Sequence, residues 1–239
     1  MSSAPPSPPT PPCPPGPTPP RATPAAVALG FPPHGGTEAS AWVRRWSHLV
    51  PVGATVLDVA CGTGRHVRWF AQQRGCRVTG IDRDATALQP LAAIAPVIVA
   101  DIEAGPWPLP GRRFDAVVVT NYLWRERLPE IVASVDAGGV LIYETFAAGN
   151  ETVGKPSNPV FLLCPGELLQ AAAGLRVVAF EDGFESGAEG GSGGGCGRGS
   201  PRFVQRIVAV REVAGAALPA RYALAPPPVG AGSAAGPAG

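Results

Sequence analysis

Residues 55–66 read Thr55-Val56-Leu57-Asp58-Val59-Ala60-Cys61-Gly62-Thr63-Gly64-Arg65-His66. The first five are a short, apolar, β-branched run of the kind that forms a buried parallel strand. Gly62 and Gly64 then put two Cβ-free residues in a turn, after which Arg65 to Ala71 can run as a helix with Val67, Phe70 and Ala71 on one side. Such a strand, glycine turn and helix let a ligand lie against bare backbone, at the carboxyl end of a strand and beside the positive end of a helix. A nucleotide-like cofactor is expected. The dinucleotide fingerprint would need a third glycine or alanine where this chain has Val67, which weakens an NAD reading.

Two acids narrow the choice. Asp58 sits inside the strand end ahead of the glycines, and Asp82 closes the next apolar run, Arg77 to Asp82. This arrangement resembles motif I of the class I S-adenosylmethionine-dependent methyltransferases. The resemblance implies that Asp58 serves the methionine amino end of the cofactor and that Asp82, with Arg83 beside it, takes the ribose hydroxyls. Ala60, Cys61, Gly62 and Gly64 would form the turn against it, Ala60 replacing the family's first glycine at little cost in room. Asp101 would meet the adenine amino group with Ile102 alongside, and Asn121 and Tyr122 would lie nearest the methyl group.

Working outward, residues 38–49 place Trp42, Val43, Trp46 and Leu49 at helical spacing, an amphipathic helix ahead of the first strand whose tryptophans pack in the core. After the glycine turn, strands are expected over 77–82, 96–101, 114–120 and 139–144, with helices over 85–93 and within 129–135. Two further strands, 175–181 and 203–211, would form a hairpin. The alternation implies an α/β fold: a doubly wound, mostly parallel sheet with helices on both faces. The resemblance extends this to a seven-stranded, Rossmann-like methyltransferase fold with an antiparallel last strand, spanning roughly residues 38–212.

The chain of 239 residues, 45% hydrophobic, suits one domain, set at residues 25–224. Residues 1–24 are mostly Pro, Ser and Thr, and 225–239 are nearly all Ala, Pro and Gly; both are expected to be disordered tails, as is the Gly-rich excursion at 186–200. The P-x-x-P spacing in the first tail follows from proline repetition. No secretory leader and no run long enough to span a bilayer is evident, so a cytoplasmic protein without a membrane partner is expected. Five cysteines and three histidines form neither a disulfide framework nor a metal site. A net charge of +1 disfavours a strongly basic nucleic-acid binder.

For catalysis, Tyr122 as a hydrogen-bond acceptor and Glu144 at the end of strand five are the candidates to help deprotonate a substrate. A thiolate or soft anion would need neither. His66 and Cys61 read as locally satisfied residues rather than as base and nucleophile. The connection from Thr145 to Cys164 is long, as lids and binding elements are; Phe161, Leu162 and Leu163 would anchor it and Asn150, Glu151, Lys155 and Asn158 would supply polar groups. Methyl transfer to a small-molecule acceptor is expected, the nearest subclass being the compact, tellurite-resistance type. An RNA or protein acceptor, or a module that binds the cofactor without catalysis, is the alternative, and the oligomeric state stays open.

Overall fold

In the computed structural model, β1 (Thr55–Val59) lies between β2 (Arg77–Asp82) and β4 (Phe114–Thr120), parallel to both, with Asp58 in register with Gly80 and Val118. The structure describes residues 37–187, 200–215 and 220–226. The first tail, nearly all of the second and most of the Gly-rich excursion lie outside these. β3 (Val97–Val99) extends the sheet beyond β2, and β5 (Val135–Phe146) extends it beyond β4. Then β7 (Arg202–Val210) runs antiparallel to both β5 and β6 (Arg176–Glu185), giving the order β3-β2-β1-β4-β5-β7-β6. The sheet is the expected seven-stranded, mostly parallel one, with β7 inverted. The chain builds outward from β1 to β3 and returns to the other side of β1 for β4. Ligands in open α/β sheets lie in the crevice beyond the strand ends at such a reversal.

Period-two alternation sends side chains to two cores. Val56, Val118, Ile142 and Val208 meet α1 (Ala41–Trp46), α2 (Arg65–Arg68) and α3 (Ala85–Leu88) through Trp42, Trp46, Val67 and Leu88. Leu57, Val59, Val117 and Val119 meet α4 (Leu128–Ala133) and α5 (Glu167–Ala171) through Ile131 and Leu168 on the other face. Ser40 caps α1, its Oγ accepting from Val43 N at 3.0 Å. Trp42 and Trp46 are buried edge to face with centroids 5.6 Å apart, a pair worth about 1 kcal/mol beyond its area.

Several boundaries depart from the sequence reading. Pro90 lacks an N–H, and the helix expected over 85–93 is a short α3 followed by a 3-10 turn, Gln89–Leu91. β3 stops at Val99, which leaves Asp101 in a turn where its Oδ1 accepts from Glu103 N at 3.0 Å and Ala104 N at 3.1 Å. β5 starts at Val135, with an irregularity between Phe114 and Ala116 on its neighbour.

The connection after β5 is pinned rather than loose. Asn150 is buried; its Nδ2 donates to Pro156 O at 2.9 Å and its Oδ1 accepts from Phe203 N at 3.2 Å. Arg125 donates to Val160 O at 2.7 Å and Leu162 O at 2.8 Å while pairing with Glu167 at 2.7 Å. Glu151 and Asn158 turn to the loop's own backbone, accepting from Gly149 N and Val160 N. Leu162 and Leu163 anchor it as expected, but Phe161 is 37% exposed and anchors nothing.

Candidate active site

A cavity of about 440 Å³ opens at the carboxyl ends of β1, β2 and β4, within the size range of small-ligand sites. Its floor is the glycine turn. Gly64 starts α2 at φ +76°, and a Cβ there would lie 2.3 Å from Leu91 Cδ1, so this position takes no side chain. Gly62, at φ +53°, has nothing within 4 Å of where a Cβ would stand, and its backbone lines the cavity. Ala60 also lines it, at φ +51°. The cost of replacing Gly62 is torsional rather than one of room, since a left-handed conformation in an L-residue is unfavourable by about 1–2 kcal/mol.

Asp82 enters from the end of β2. One carboxylate oxygen accepts from Gly62 N at 2.7 Å and the other from Asp84 N at 2.9 Å, fixing the group while leaving lone pairs toward the cavity. Arg83, Asp101, Ile102, Asn121 and Tyr122 line the same cavity. Arg83 pairs with Glu103 at 3.6 Å, and burial holds the Glu103 carboxyl above its ordinary range. Asn121 adopts φ +55° and donates its backbone N–H to Glu144 O at 2.9 Å.

Four of the expected site residues are not among the lining. Asp58 is 1% exposed beneath the turn; it accepts from the Val67 backbone N–H, and its Oδ2 has no hydrogen-bond partner among the described residues. Burial pushes its pKa up to about 8, against the nearby positive charge of Arg65. Cys61 turns its sulfur into the core, where a Cβ on Gly80 would lie only 2.9 Å from it, and burial raises its thiol pKa; its smallness is what the site uses. Gly64 acts through the backbone as described.

Glu144 is a correction. Its carboxylate faces the α1 side of the sheet, where Oε2 accepts from Arg206 Nε at 2.5 Å and Arg202 stands 3.8 Å away. Arg206 is its register partner on β7, which the strand pattern alone could not disclose. The next residue, Thr145, lines the cavity instead.

Tyr122 lines the cavity, as expected. Its carbonyl accepts from Tyr143 Oη at 2.8 Å, and its own Oη is buried without a hydrogen-bond partner among the described residues. Burial, then the negative charge of Glu103, raises its pKa well above the ordinary phenol range, so it stays a neutral phenol. The charges that act on it, Glu103, Asp101, Arg83 and Arg127, put the side chain toward the β3 end of the cavity.

His66 is buried and held locally: Nε2 accepts from Ser40 N at 3.2 Å, and Nδ1 lies 3.5 Å from Thr120 Oγ1. Burial lowers its pKa to about 3, so it stays neutral. Sequence reasoning missed Thr120, Thr145, Phe146, Pro156 and Phe161 as lining residues. Thr120 directly precedes Asn121 and could have been read with it; the others depend on how the connection after β5 folds back.

Among the described residues, no group of three or more His, Cys, Asp or Glu could hold a metal ion, and no helix is long and apolar enough to cross a membrane. Cys61 and Cys76 are free and buried, while Cys164 is disulfide-bonded, a bond the scattered spacing did not announce.

Residues 56–139 match the family described as a methyltransferase domain. A tRNA U34 carboxymethyltransferase of Shewanella amazonensis is 31% identical over 122 residues, 46% of this chain and 37% of that protein. The enzyme of the same name from Hahella chejuensis is 32% identical over 117 residues, 44% and 36% of the two chains. The chain thus spans little more than a third of the length of these relatives. Among solved structures, TehB from Haemophilus influenzae aligns with a TM-score of 0.55 at 19% identity, covering 70% of this chain and 60% of that one. A putative methyltransferase from Bacillus halodurans aligns at 0.53 and 15% identity, covering 73% and 100%. At these identities the structural likeness shows the fold.

Proposed function

We propose, starting from a chain that carries a class I S-adenosylmethionine-dependent methyltransferase domain, that it transfers the methyl group of this cofactor to a small nucleophilic acceptor entering past Phe161. The observation that carries the reading is Asp82, whose two oxygens are fixed by Gly62 N and Asp84 N at a cavity on the sheet's reversal point. A carboxylate so held suits the paired hydroxyls of a ribose. The buried Asp58 Oδ2 fits the same cofactor: an acceptor without a hydrogen bond is costly in that position, and an ammonium would supply one.

When bound, S-adenosylmethionine supplies an electrophilic methyl group on a sulfonium. This chain's residues would bind, orient and dry it. Asp58 would release its proton to pair with the amino group, Asp82 would hold the ribose, and Asp101 and Ile102 would flank the adenine. Gly62 and Ala60 would let the backbone approach. Phe146, Pro156 and Phe161 form an apolar wall on the acceptor side, which favours alignment and exclusion of water. Because Tyr122 stays a neutral phenol and Glu144 is engaged by Arg206, the acceptor would arrive as its own nucleophile, such as a thiolate or soft anion.

A second reading, transfer to a nucleotide of an RNA, is supported by the names of the relatives that match 44–46% of the chain. Incubating the protein with methyl-tritiated cofactor and fractionated cell extract tests both. Label is expected in a metabolite fraction under the first reading and in RNA under the second, and in neither with Asp82→Ala. Absence of label from every fraction, together with no binding of cofactor or its demethylated product, would contradict the function.

A further inference from the structure

A second cavity, of about 330 Å³, lies between α1 and α2 and is lined by Arg44, Arg65, Arg68, Trp69 and Gln72, among others. We propose that it binds a phosphate group carried by the methyl acceptor. The inference rests on the proposed methyl transfer for its purpose, and it names the acceptor class that reading leaves open.

The lining is rich in hydrogen-bond donors. Three guanidinium groups, an indole and the carboxamides of Gln72 and Gln73 surround the space, against a single carboxylate, Glu38, which pairs with Arg44 at 3.5 Å where both side chains are substantially exposed. Such an exposed pair is weak and readily exchanged for a doubly charged anion. Three guanidinium groups against one carboxylate suit an oxyanion, and the arginine fork matches phosphate oxygens in particular.

The position ties this cavity to the first. Arg65 lines the second cavity, and its Nη2 donates to Thr120 Oγ1 at 3.3 Å, while Thr120 lines the first. One guanidinium thus touches a wall of each space. A phosphate seated among Arg44, Arg65 and Arg68 would therefore fix one end of an acceptor whose other end reaches the cofactor cavity. Phosphate from a free phosphorylated metabolite and phosphate from an RNA strand share this chemistry.

The test uses the full chain saturated with S-adenosylhomocysteine and compares uridine with uridine 5′-monophosphate by calorimetry, pyrimidines being chosen to spare the adenine site. The monophosphate is expected to bind tighter by at least about tenfold. The double variant Arg44→Ala, Arg68→Ala should abolish that difference while leaving affinity for S-adenosylhomocysteine unchanged, which also shows that it folds. An oligouridylate without terminal phosphates identifies the source. A strand would bind tighter than the monophosphate, with affinity falling linearly in log salt, and a metabolite site would show the reverse. Equal binding of uridine and its monophosphate would overturn the proposal. So would a double variant that loses S-adenosylhomocysteine and monophosphate together, because the cavity would then belong to the cofactor. Should S-adenosylhomocysteine fail to bind the parent, the methyltransferase reading falls, and the uridine comparison can still be read on the unloaded protein.

Discussion

Asp82 ends β2 and Glu144 stands two residues short of the end of β5, yet the regions around them use polar groups in opposite ways. Around β1, β2 and β4 the backbone is strained at Ala60 and Asn121, the non-glycine residues with positive φ among those described, and Asp58 Oδ2 and Tyr122 Oη lack hydrogen-bond partners. Across β5, β6 and β7 the groups satisfy one another. Arg206 joins Glu144, Glu181 and Glu185, Arg125 closes on Glu167, and Asn150 bridges Pro156 to Phe203, with Glu144 Oε1 left over. Strain and orphaned donors or acceptors persist where a ligand completes them. An acid at a strand end is thus not a site in itself; what its neighbours leave unsatisfied decides.

The largest effect is expected on the self-satisfied side. Arg206→Ala would strand the buried Glu144 carboxylate and should lower the unfolding free energy by about 3–5 kcal/mol, measured by denaturant titration. A loss below about 1 kcal/mol would show that the ladder is not what holds β7. Asn150→Ala, which orphans Phe203 N and Pro156 O, should destabilise by about 1–3 kcal/mol with cofactor affinity nearly intact. A mobile lid, as the length of the segment suggested, would show no such loss.

The alternation of apolar runs made the mostly parallel sheet legible, and Gly62, Asp82 and Asp101 stand at the cavity because local motifs fix them relative to strand ends. What could not be read depends on contacts between distant strands. Glu144 faces Arg206 only because β7 returns antiparallel in that register, and Phe161 reaches the cavity only because Arg125 pins the carbonyls of Val160 and Leu162 on either side of it. Tyr122 had the right address but the wrong neighbours. Its phenol meets the charges of the β3 end, which residue spacing does not specify.

On the cavity side the expected effects are smaller and depend on ligand. Asp58 keeps its proton in the fold to about pH 8, whereas the unfolded chain releases it near its ordinary value of 3.8. Its contribution to stability is therefore fully present below 3.8 and lost as pH rises toward 8. A cofactor ammonium reverses this by favouring the carboxylate, so binding should release a proton near neutrality. Affinity should rise about tenfold per pH unit up to about 8, as followed by calorimetry in buffers of different ionisation enthalpy. Proton-neutral binding at pH 7 would remove Asp58 from the site. Smallest is Ala60→Gly, which relieves the left-handed strain at some entropic cost in the unfolded state and should stabilise by about 0.5–1 kcal/mol in thermal denaturation. A destabilised variant would mean that the methyl group makes contacts that outweigh its torsion.

The difference between the two regions is tested most directly by calorimetric titration of S-adenosylhomocysteine into the parent protein and into Asp82→Ala. One saturable site is expected in the parent, weakened by about ten- to a hundredfold in a variant that still unfolds cooperatively. No binding to the parent, or the same affinity in the folded variant, would contradict the assignment of this cavity to the cofactor.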